Sequence, residues 1–204
     1  MRYGLEKELA QGGMGIVYVG SDPELDRELA VKVSKVGSGE DPRFALEAKV
    51  LGQLAHPNIV PIHAMGIDED GFPFYSMKLV KGRSLQNILK GLRKGEEEMV
   101  RAFSVERLLE VFRKVCDAMA FAHSKGVLHR DLKPDNVMVG EFGEVLVMDW
   151  GLAKFLGKAE ELGERGGTLG GGRGEGMGRV DFGMTMEGEV MGTPQYMSPE
   201  QAEG

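Results

Sequence analysis

The sequence of 204 residues lacks three features that define broad classes of protein. Its only cysteine, Cys116, cannot form a disulfide within the chain, so a disulfide-stapled domain is excluded and a reducing compartment is expected. No apolar run approaches the ~20 residues that span a bilayer, and we expect no signal peptide. A net charge of -7 leaves no basic excess to neutralise phosphates. The sequence predicts no nucleic-acid partner and no membrane segment in this chain.

What the chain has in excess is glycine, with 31 residues concentrated late in the sequence. Residues 163–188 have no apolar period and a high entropy cost of ordering. We interpret them as a glycine-rich mobile insertion rather than a linker between domains, because motif-like residues resume at Gly192. The remaining composition, 42% hydrophobic and 28% charged, is ordinary for a chain that buries a core.

Short β-compatible runs dominate the first 80 residues. Five strands are predicted, at residues 3–9, 16–20, 28–34, 59–67 and 74–80. Between the third and fourth, Asp41 and Pro42 are a typical N-cap and first helical residue, and apolar residues follow at helical spacing. The sequence therefore predicts one helix among these strands, ended by His56-Pro57-Asn58.

The apolar period becomes helical after Ser84, and a longer helix is predicted after Ser104. Residues 96–98, three consecutive glutamates, are typical of a solvated loop. Cys116 is predicted to be buried on an apolar face of the longer helix. That face consists of Val105, Leu108, Leu109, Phe112, Val115, Cys116 and Met119. A β-rich part over residues 1–80 and a helical part over 81–204 predict a two-lobed α+β fold.

Two features of the first part are weak signs of a phosphate site. Glycines 12, 13 and 15 lie between two predicted strands, where backbone N–H groups can approach an anion, although a tight hairpin also needs glycine. Lys32 lies near the end of a predicted strand, and Glu47 lies in the predicted helix, where it could hold the lysine against a phosphate. Each feature alone is more often structural. The two together suggest a phosphate site but do not establish one.

The strongest chemical signal is His-Arg-Asp-Leu-Lys-Pro-Asp-Asn at residues 129–136, followed by Asp-Trp-Gly at 149–151. These segments supply a base, a cation and two oxygen ligands that suit Mg²⁺. The glycine loop, strand lysine and helix glutamate precede them, and Gly-Thr-Pro-Gln-Tyr-Met-Ser-Pro-Glu follows at residues 192–200. In this order the motifs resemble the eukaryotic-type (Hanks-type) protein kinase family, and their wording is similar to its bacterial serine/threonine kinase branch.

The resemblance implies a protein serine/threonine kinase that transfers the γ-phosphoryl group of ATP to protein hydroxyls, including its own. Asp131 would accept the proton of the acceptor hydroxyl, and Lys133 would neutralise charge on the transferred group. Lys32, paired with Glu47, would contact the α- and β-phosphates. Thr193 would brace the catalytic loop by hydrogen bonding near Asp131 and Lys133.

The resemblance also implies a nucleotide site and a metal site. Asn136 and Asp149 would hold Mg²⁺, with Mn²⁺ as an alternative ion. Met77 would be the gatekeeper of the adenine pocket, which the hinge at residues 78–80 would border. The full expected set of nucleotide-binding residues is Ala10, Gly12, Gly13, Gly15, Val17, Ala30, Lys32, Met77, Lys78, Val80 and Met138.

Several positions depart from the family pattern. Ala10 stands where the first loop glycine is usual, which predicts weakened but not abolished ATP binding. Trp150 replaces the usual aromatic of the metal motif, and Lys78 stands where the hinge often has an acid. The family's domain continues for several helices after the Pro-Glu motif, so we expect a C-lobe that is incomplete in this chain and an uncovered apolar stripe on the Ser104 helix. We interpret the chain as the N-terminal part of a longer protein or as an incomplete gene product.

A phosphate-dependent switch is also implied, because Arg130 directly precedes Asp131. Thr185 is the favoured autophosphorylation site, and Thr168 is the alternative. Glu189 could instead pair with Arg130 and partly mimic a phosphate. We also expect a kinase dimer that phosphorylates itself in trans. The expected location is cytoplasmic, either as a free protein or as the cytoplasmic domain of a membrane-anchored protein.

Two other functions stay open at this stage. A pseudokinase or regulatory scaffold is disfavoured, because Lys32, Glu47, Asp131, Asn136 and Asp149 are all present. A catalytically inactive fragment that only binds nucleotide is favoured by the chain length and not excluded by the motifs.

Overall fold

A computed structural model describes residues 3–37, 41–156 and 191–203 of the chain. Its first part is a five-stranded antiparallel sheet with the strand order β1-β2-β3-β5-β4. The strands are β1 (Gly4–Gln11), β2 (Gly15–Asp22), β3 (Arg27–Ser34), β4 (Ile62–Ile67) and β5 (Pro73–Met77). All five predicted strands are therefore present.

Strand β4 begins at Ile62, later than predicted. Pro61 has no N–H to donate to a β-ladder, which makes it a poor residue inside a strand. The residues before it bond elsewhere: the Val60 N–H donates to the Val147 carbonyl over 3.2 Å. This contact joins the segment before β4 to a strand of the second part of the chain.

Helix α1 (Pro42–Gln53) begins where the sequence predicts. The Asp41 carboxylate accepts a hydrogen bond from the Phe44 N–H over 3.1 Å, and Pro42 occupies the first turn, where its missing N–H costs nothing. The helix buries one face that includes Phe44, Val50 and Glu47. A carboxylate thus lies among the apolar residues that pack α1 against the sheet.

The second part has the two helices that the sequence predicts after Ser84 and Ser104, and each of these serines caps its helix. A third helix lies between them and has no side-chain cap. The Ser84 and Ser104 hydroxyls accept hydrogen bonds from the N–H groups of Asn87 and Arg107. Two small sheets follow, in the orders β6-β8-β9 and β10-β7. The elements are β6 (Gly82–Ser84), α2 (Leu85–Lys94), α3 (Glu97–Ala102), α4 (Val105–Ser124), β7 (Val127–Leu128), β8 (Val137–Gly140), β9 (Val145–Val147), β10 (Lys154–Phe155) and α5 (Pro199–Glu203).

The prediction of a solvated loop at residues 96–98 was wrong. Glu97 and Glu98 form the first turn of helix α3, where negative side chains interact favourably with the helix dipole. Glu97 also pairs with Arg101 one turn later, over 3.2 Å. The acidic run is therefore a helix start rather than a loop.

The prediction that Cys116 is buried was also wrong, because it is exposed. Helix α4 carries two apolar stripes, and the one packed inward consists of Val111, Val115, Ala118 and Ala122. On the other stripe Val105, Leu109 and Phe112 are each more than 60% exposed. Within the described residues this stripe is uncovered, as the sequence analysis expected.

The largest core cluster draws on both parts of the chain, from Ala30 and Phe44 to Val147 and Trp150. Trp150 is fully buried, and its ring lies 4.6 Å from the His129 ring. The aromatic residue of the Asp-Trp-Gly motif is therefore part of the core. None of the helices described here is long and apolar enough to cross a membrane.

Candidate active site

A buried ion pair connects the first sheet to helix α1. The Lys32 Nζ on β3 donates to the Glu47 Oε2 on α1 over 2.6 Å, and both residues are buried. Burial raises the pKa of Glu47, while the Lys32 ammonium opposes that rise. The pair expected from the sequence is present, and the carboxylate depends on its lysine for stability as an anion.

Tyr75 completes this cluster, and sequence reasoning missed it. Its hydroxyl hydrogen-bonds the Glu47 carboxylate, and its ring centroid lies 5.8 Å from the Lys32 Nζ. Burial and the negative charge of Glu47 raise the pKa of Tyr75 well above 10.0, so the hydroxyl stays protonated and can donate. The available signal was a tyrosine on a buried strand, two residues from Met77.

A second cluster brings Thr193 to Asp131 and Lys133, which lie about 60 residues earlier in the sequence. The Lys133 Nζ donates to the Asp131 Oδ2 over 2.7 Å and to the Thr193 Oγ1 over 2.8 Å. The Thr193 hydroxyl donates to the Asp131 Oδ1 over 2.7 Å. Burial would raise the pKa of Asp131, but the bonds from Lys133 and Thr193 outweigh it and hold that pKa below its ordinary value. Asp131 is therefore a carboxylate at neutral pH.

The backbone around Asp131 is fixed by His129. The Asp131 N–H donates to the His129 Nδ1 over 3.3 Å, and the His129 Nε2 donates to the Met148 carbonyl over 3.0 Å. These two bonds require the neutral ring, and burial lowers the pKa of His129 accordingly. His129 thus has a structural role and links the loop of Asp131 to Met148, the residue that precedes Asp149.

Asn136 and Asp149 are the oxygen donors available for a cation. The Asn136 Nδ2 donates to the Asp131 carbonyl over 2.9 Å, so its Oδ1 is the atom that could bind a metal. The Met148 N–H donates to the Asn136 carbonyl over 2.8 Å, which fixes the residue before Asp149. Across residues 3–37, 41–156 and 191–203, no three His, Cys, Asp or Glu side chains gather into a metal cage. Two hard oxygen donors fit an ion whose other ligands are waters and phosphates.

The glycine loop between β1 and β2 is a tight turn. The Gly12 N–H donates to the Gly15 carbonyl over 2.9 Å. A Cβ at Gly15 would lie 2.5 Å from the Val33 carbonyl oxygen, so only glycine fits there. Ala10 is the next-to-last residue of β1 and pairs with Val17, and the space around Gly13 is open.

Two contacts hold the tip of this loop, and neither was predicted from the sequence. The Lys35 Nζ donates to the Gly12 carbonyl over 2.7 Å. Met14 lies against Gly151, where a Cβ would come within 2.8 Å of the Met14 sulfur. The loop therefore closes onto the Asp-Trp-Gly segment. Lysine and methionine at these positions carry no pattern that distinguishes them from ordinary surface residues.

The expected adenine-binding residues lie on neighbouring strands. Ala30 pairs with Met77 in the ladder between β3 and β5, and Val17 pairs with Lys32 between β2 and β3. The remaining three lie outside that sheet, at Lys78, Val80 and Met138. The Lys78 N–H donates to the Pro61 carbonyl over 3.1 Å, and Met138 lies on β8 opposite Ser84 and Leu146.

The expected regulatory residues are only partly described. The Arg130 Nε donates to the Leu152 carbonyl over 2.7 Å, which connects the catalytic loop to the segment after Trp150. Thr168, Thr185 and Glu189 lie outside the described residues, as does the insertion at 163–188.

Comparison with known proteins gives one family and a consistent set of relatives. A family model described as the protein kinase domain matches residues 3–203. A protein named serine/threonine-protein kinase PknD from Protochlamydia amoebophila is 39% identical over 213 residues, covering 99% of this chain and 21% of that protein. The proteins of the same name from Chlamydia muridarum and Chlamydia pneumoniae are 38% and 35% identical over 100% of this chain and 22% of their own length. The chain thus spans about a fifth of the length of these curated relatives.

Proposed function

Because this chain belongs to the protein kinase domain family, we propose that it carries the catalytic centre of an ATP-dependent protein serine/threonine kinase. The observation that carries the proposal is the hydrogen-bonded cluster of Asp131, Lys133 and Thr193. It places a carboxylate, a cation and a hydroxyl close enough together to contact the same substrate hydroxyl group. Phosphoryl transfer needs this kind of site, because positioning and charge stabilisation dominate its chemistry.

Asp131 is proposed to orient the acceptor hydroxyl and take its proton. Its depressed pKa supports this role, since only the ionised form accepts a proton. Lys133 contacts the same carboxylate and would offset negative charge on the phosphoryl group during transfer. Lys32 would contact the α- and β-phosphates while Glu47 keeps its ammonium in place.

The nucleotide and metal assignments rest on the same comparison with the family. Asn136 and Asp149 are proposed to hold Mg²⁺, or Mn²⁺ in its place, and their oxygen donors suit either ion. When bound, a divalent ion offsets phosphate charge and orients the nucleotide. The rest of the nucleotide site is assigned to the loop and hinge residues Ala10, Gly12, Gly13, Gly15, Val17, Ala30, Met77, Lys78, Val80 and Met138.

We further propose that the substrates are proteins with serine or threonine acceptors, and that a dimer of this kinase phosphorylates itself. A cytoplasmic location is proposed from the need for ATP and from the single, exposed Cys116. The boundary between the two lobes is placed at residue 80, after the last strand of the first sheet.

The proposed switch is phosphorylation of Thr185, with Thr168 as the alternative site. Arg130 is the proposed receptor of the phosphate, and Glu189 would give partial activity before phosphorylation. Mass spectrometry after incubation with ATP and Mg²⁺ should find phosphate at Thr185. Absence of phosphate from Thr185 in the wild type, together with full activity of Thr185→Ala, would contradict this switch.

The proposed activity is tested by transfer of the γ-phosphoryl group from ATP to a generic basic protein, followed by phosphoamino-acid analysis. This chain and a longer form of the protein are assayed side by side. Phosphoserine or phosphothreonine with the longer form supports the kinase. Nucleotide binding without transfer in both forms would favour a scaffold, and transfer by the longer form alone would make this chain an inactive nucleotide-binding fragment.

A further inference from the structure

Gln201, in helix α5, joins two segments that are far apart in sequence. Its Nε2 donates to the Arg130 carbonyl and, over 2.6 Å, to the Met191 carbonyl. A side-chain amide has two N–H donors, and these bonds use both of them. Both contacts are half-buried, so water competes with them less than on an open surface. One side chain therefore ties the loop of Asp131 to the segment that leads into Thr193.

The peptide that Gln201 holds is unusual. Arg130 has φ +62°, in the left-handed region that costs energy for a residue with a side chain. The peptide group after it is planar, so fixing the Arg130 carbonyl also fixes the direction of the Asp131 N–H. That N–H donates to His129 Nδ1. Gln201 and His129 thus hold opposite ends of the peptide group that precedes the Asp131 side chain.

Gly192 provides the space for this contact. Its φ is +129°, and a Cβ there would lie 2.6 Å from the Gln201 Nε2 and 2.8 Å from the Arg130 oxygen. A side chain at residue 192 would therefore displace the bridging amide. The next residue, Thr193, donates to Asp131. The bridge and the Thr193 bond act on the same loop from two adjacent positions.

We propose that Gln201 is a positioning residue that holds the Arg130–Asp131 peptide and the 191–193 segment in the arrangement needed for phosphoryl transfer. The proposal rests on the function proposed above. Gln201 contacts neither the Lys32–Glu47 pair nor the glycine loop, so its effect falls on the turnover step and not on ATP binding. The nearby serine, proline and glutamate of the same motif do not supply these two donors.

The test compares Gln201→Glu with Gln201→Lys in the longest available form of the protein. Glutamate has the same shape without donors, and its charge repels the two carbonyls, whereas lysine keeps donors at similar reach. We expect Gln201→Glu to lower kcat by about tenfold or more with KM for ATP within about twofold. Gln201→Lys should recover most of kcat. Asn87→Asp, an exposed amide-to-acid change on α2, is the matched control and should leave both constants unchanged.

Hydrogen exchange of residues 191–193 gives a readout that needs no activity. Exchange there should be faster in Gln201→Glu than in the wild type, while exchange across β3 and α1 stays the same. If Gln201→Glu does not fold, Gln201→Met removes the donors without adding charge and takes its place. Unchanged kcat and exchange, or an equal loss in Gln201→Lys, would overturn the proposal. A wild-type protein that transfers no phosphate would defeat the kinase assignment, while the exchange result would still test the bridge.

Discussion

The two lysine–carboxylate pairs of the candidate active site have carboxyl groups whose pKa values shift in opposite directions. Lys32 and Glu47 are 10% and 1% exposed at their side chains, and burial raises the pKa of the carboxyl group. Lys133 and Asp131 are 22% and 9% exposed, and hydrogen bonds from Lys133 and Thr193 lower the pKa of that carboxyl group. The distances are similar, at 2.6 Å and 2.7 Å, so the charge separation does not explain the difference.

What differs is the amount of water around each carboxylate. Glu47 loses its hydration and gains Lys32 and the Tyr75 hydroxyl, which does not fully compensate. Asp131 keeps more contact with solvent and receives bonds from a lysine and a threonine. The first pair is therefore suited to holding a lysine in place, and the second to keeping a base ionised at neutral pH.

Replacing the lysine of each pair should give the largest difference in the free energy of unfolding between the two pairs. Lys32→Met leaves Glu47 buried without its cation, so we expect a loss of about 3 kcal/mol in the free energy of unfolding. Lys133→Met leaves the Thr193 bond and more solvent, so its loss should be about 1 kcal/mol. Urea unfolding of both variants measures this. Equal losses would contradict the proposed difference between the pairs.

A change at Thr193 tests the second pair through the pKa of Asp131, the proposed base. Thr193→Val removes a donor to Asp131, so we expect kcat to fall by about tenfold and the acid limb of the pH–rate profile to move to higher pH. The pKa of Asp131 rises because one of the bonds that lowers it is lost. Thr193→Ser keeps the hydroxyl and should retain the wild-type profile. An unshifted acid limb in Thr193→Val would be evidence against Asp131 as the titrating base.

Glu47 should make the protein less stable as the pH rises, because its pKa is raised, whereas the pKa of Asp131 is lowered. Its pKa in the folded protein lies above the ordinary 4.5, so the folded state holds this proton more tightly than the unfolded chain. The associated stability is complete below about pH 4.5 and is lost as pH rises through the folded pKa. The free energy of unfolding of the wild type relative to Glu47→Gln should therefore fall from about pH 4 towards neutrality. Glu110→Gln, a change at an exposed glutamate on α4, is the control. If the free energies of unfolding of the two variants showed the same pH dependence, the raised pKa of Glu47 would be refuted.

The smallest effect is expected at the glycine loop. Lys35→Met removes an exposed bond to the Gly12 carbonyl, which should weaken ATP and ADP binding by about threefold and leave adenosine binding unchanged. The reason is that the loop would contact phosphates and not the base. Titration of the three ligands into Lys35→Met and into Lys90→Met, an exposed change on α2, makes the comparison. Equal weakening for adenosine would show that Lys35 acts on the fold as a whole.

The sequence predicts those parts of the fold that depend on local patterns. Asp41 and Pro42 mark the start of α1, and the five β-compatible runs correspond to the five strands of the first sheet. The outward position of Cys116 could not be predicted, because α4 has two apolar stripes and only tertiary packing decides which one is buried. The acidic run that begins α3 is ambiguous for a similar reason.

In the site, the sequence predicts the residues whose chemistry forms a motif and misses those that act through a single contact. Lys32 and Glu47 are identifiable because their types and spacing fit an ion pair between a strand and a helix. Tyr75, Lys35 and Gln201 become visible only when the strands and loops bring them to Glu47, Gly12 and Arg130. Such contacts depend on long-range packing, which no local pattern records.

The central claim is that Asp131 acts as the base in phosphoryl transfer without contributing to nucleotide binding. Asp131→Asn, assayed in the longest available form of the protein, tests it through two measurements on the same sample: the rate of γ-phosphoryl transfer to a basic protein and the Kd for ATP. We expect the rate to fall by about 10²- to 10⁴-fold while the Kd stays within about twofold of the wild type. A variant that retains most of its transfer rate, with ATP binding intact, would contradict the assignment of Asp131 as the base.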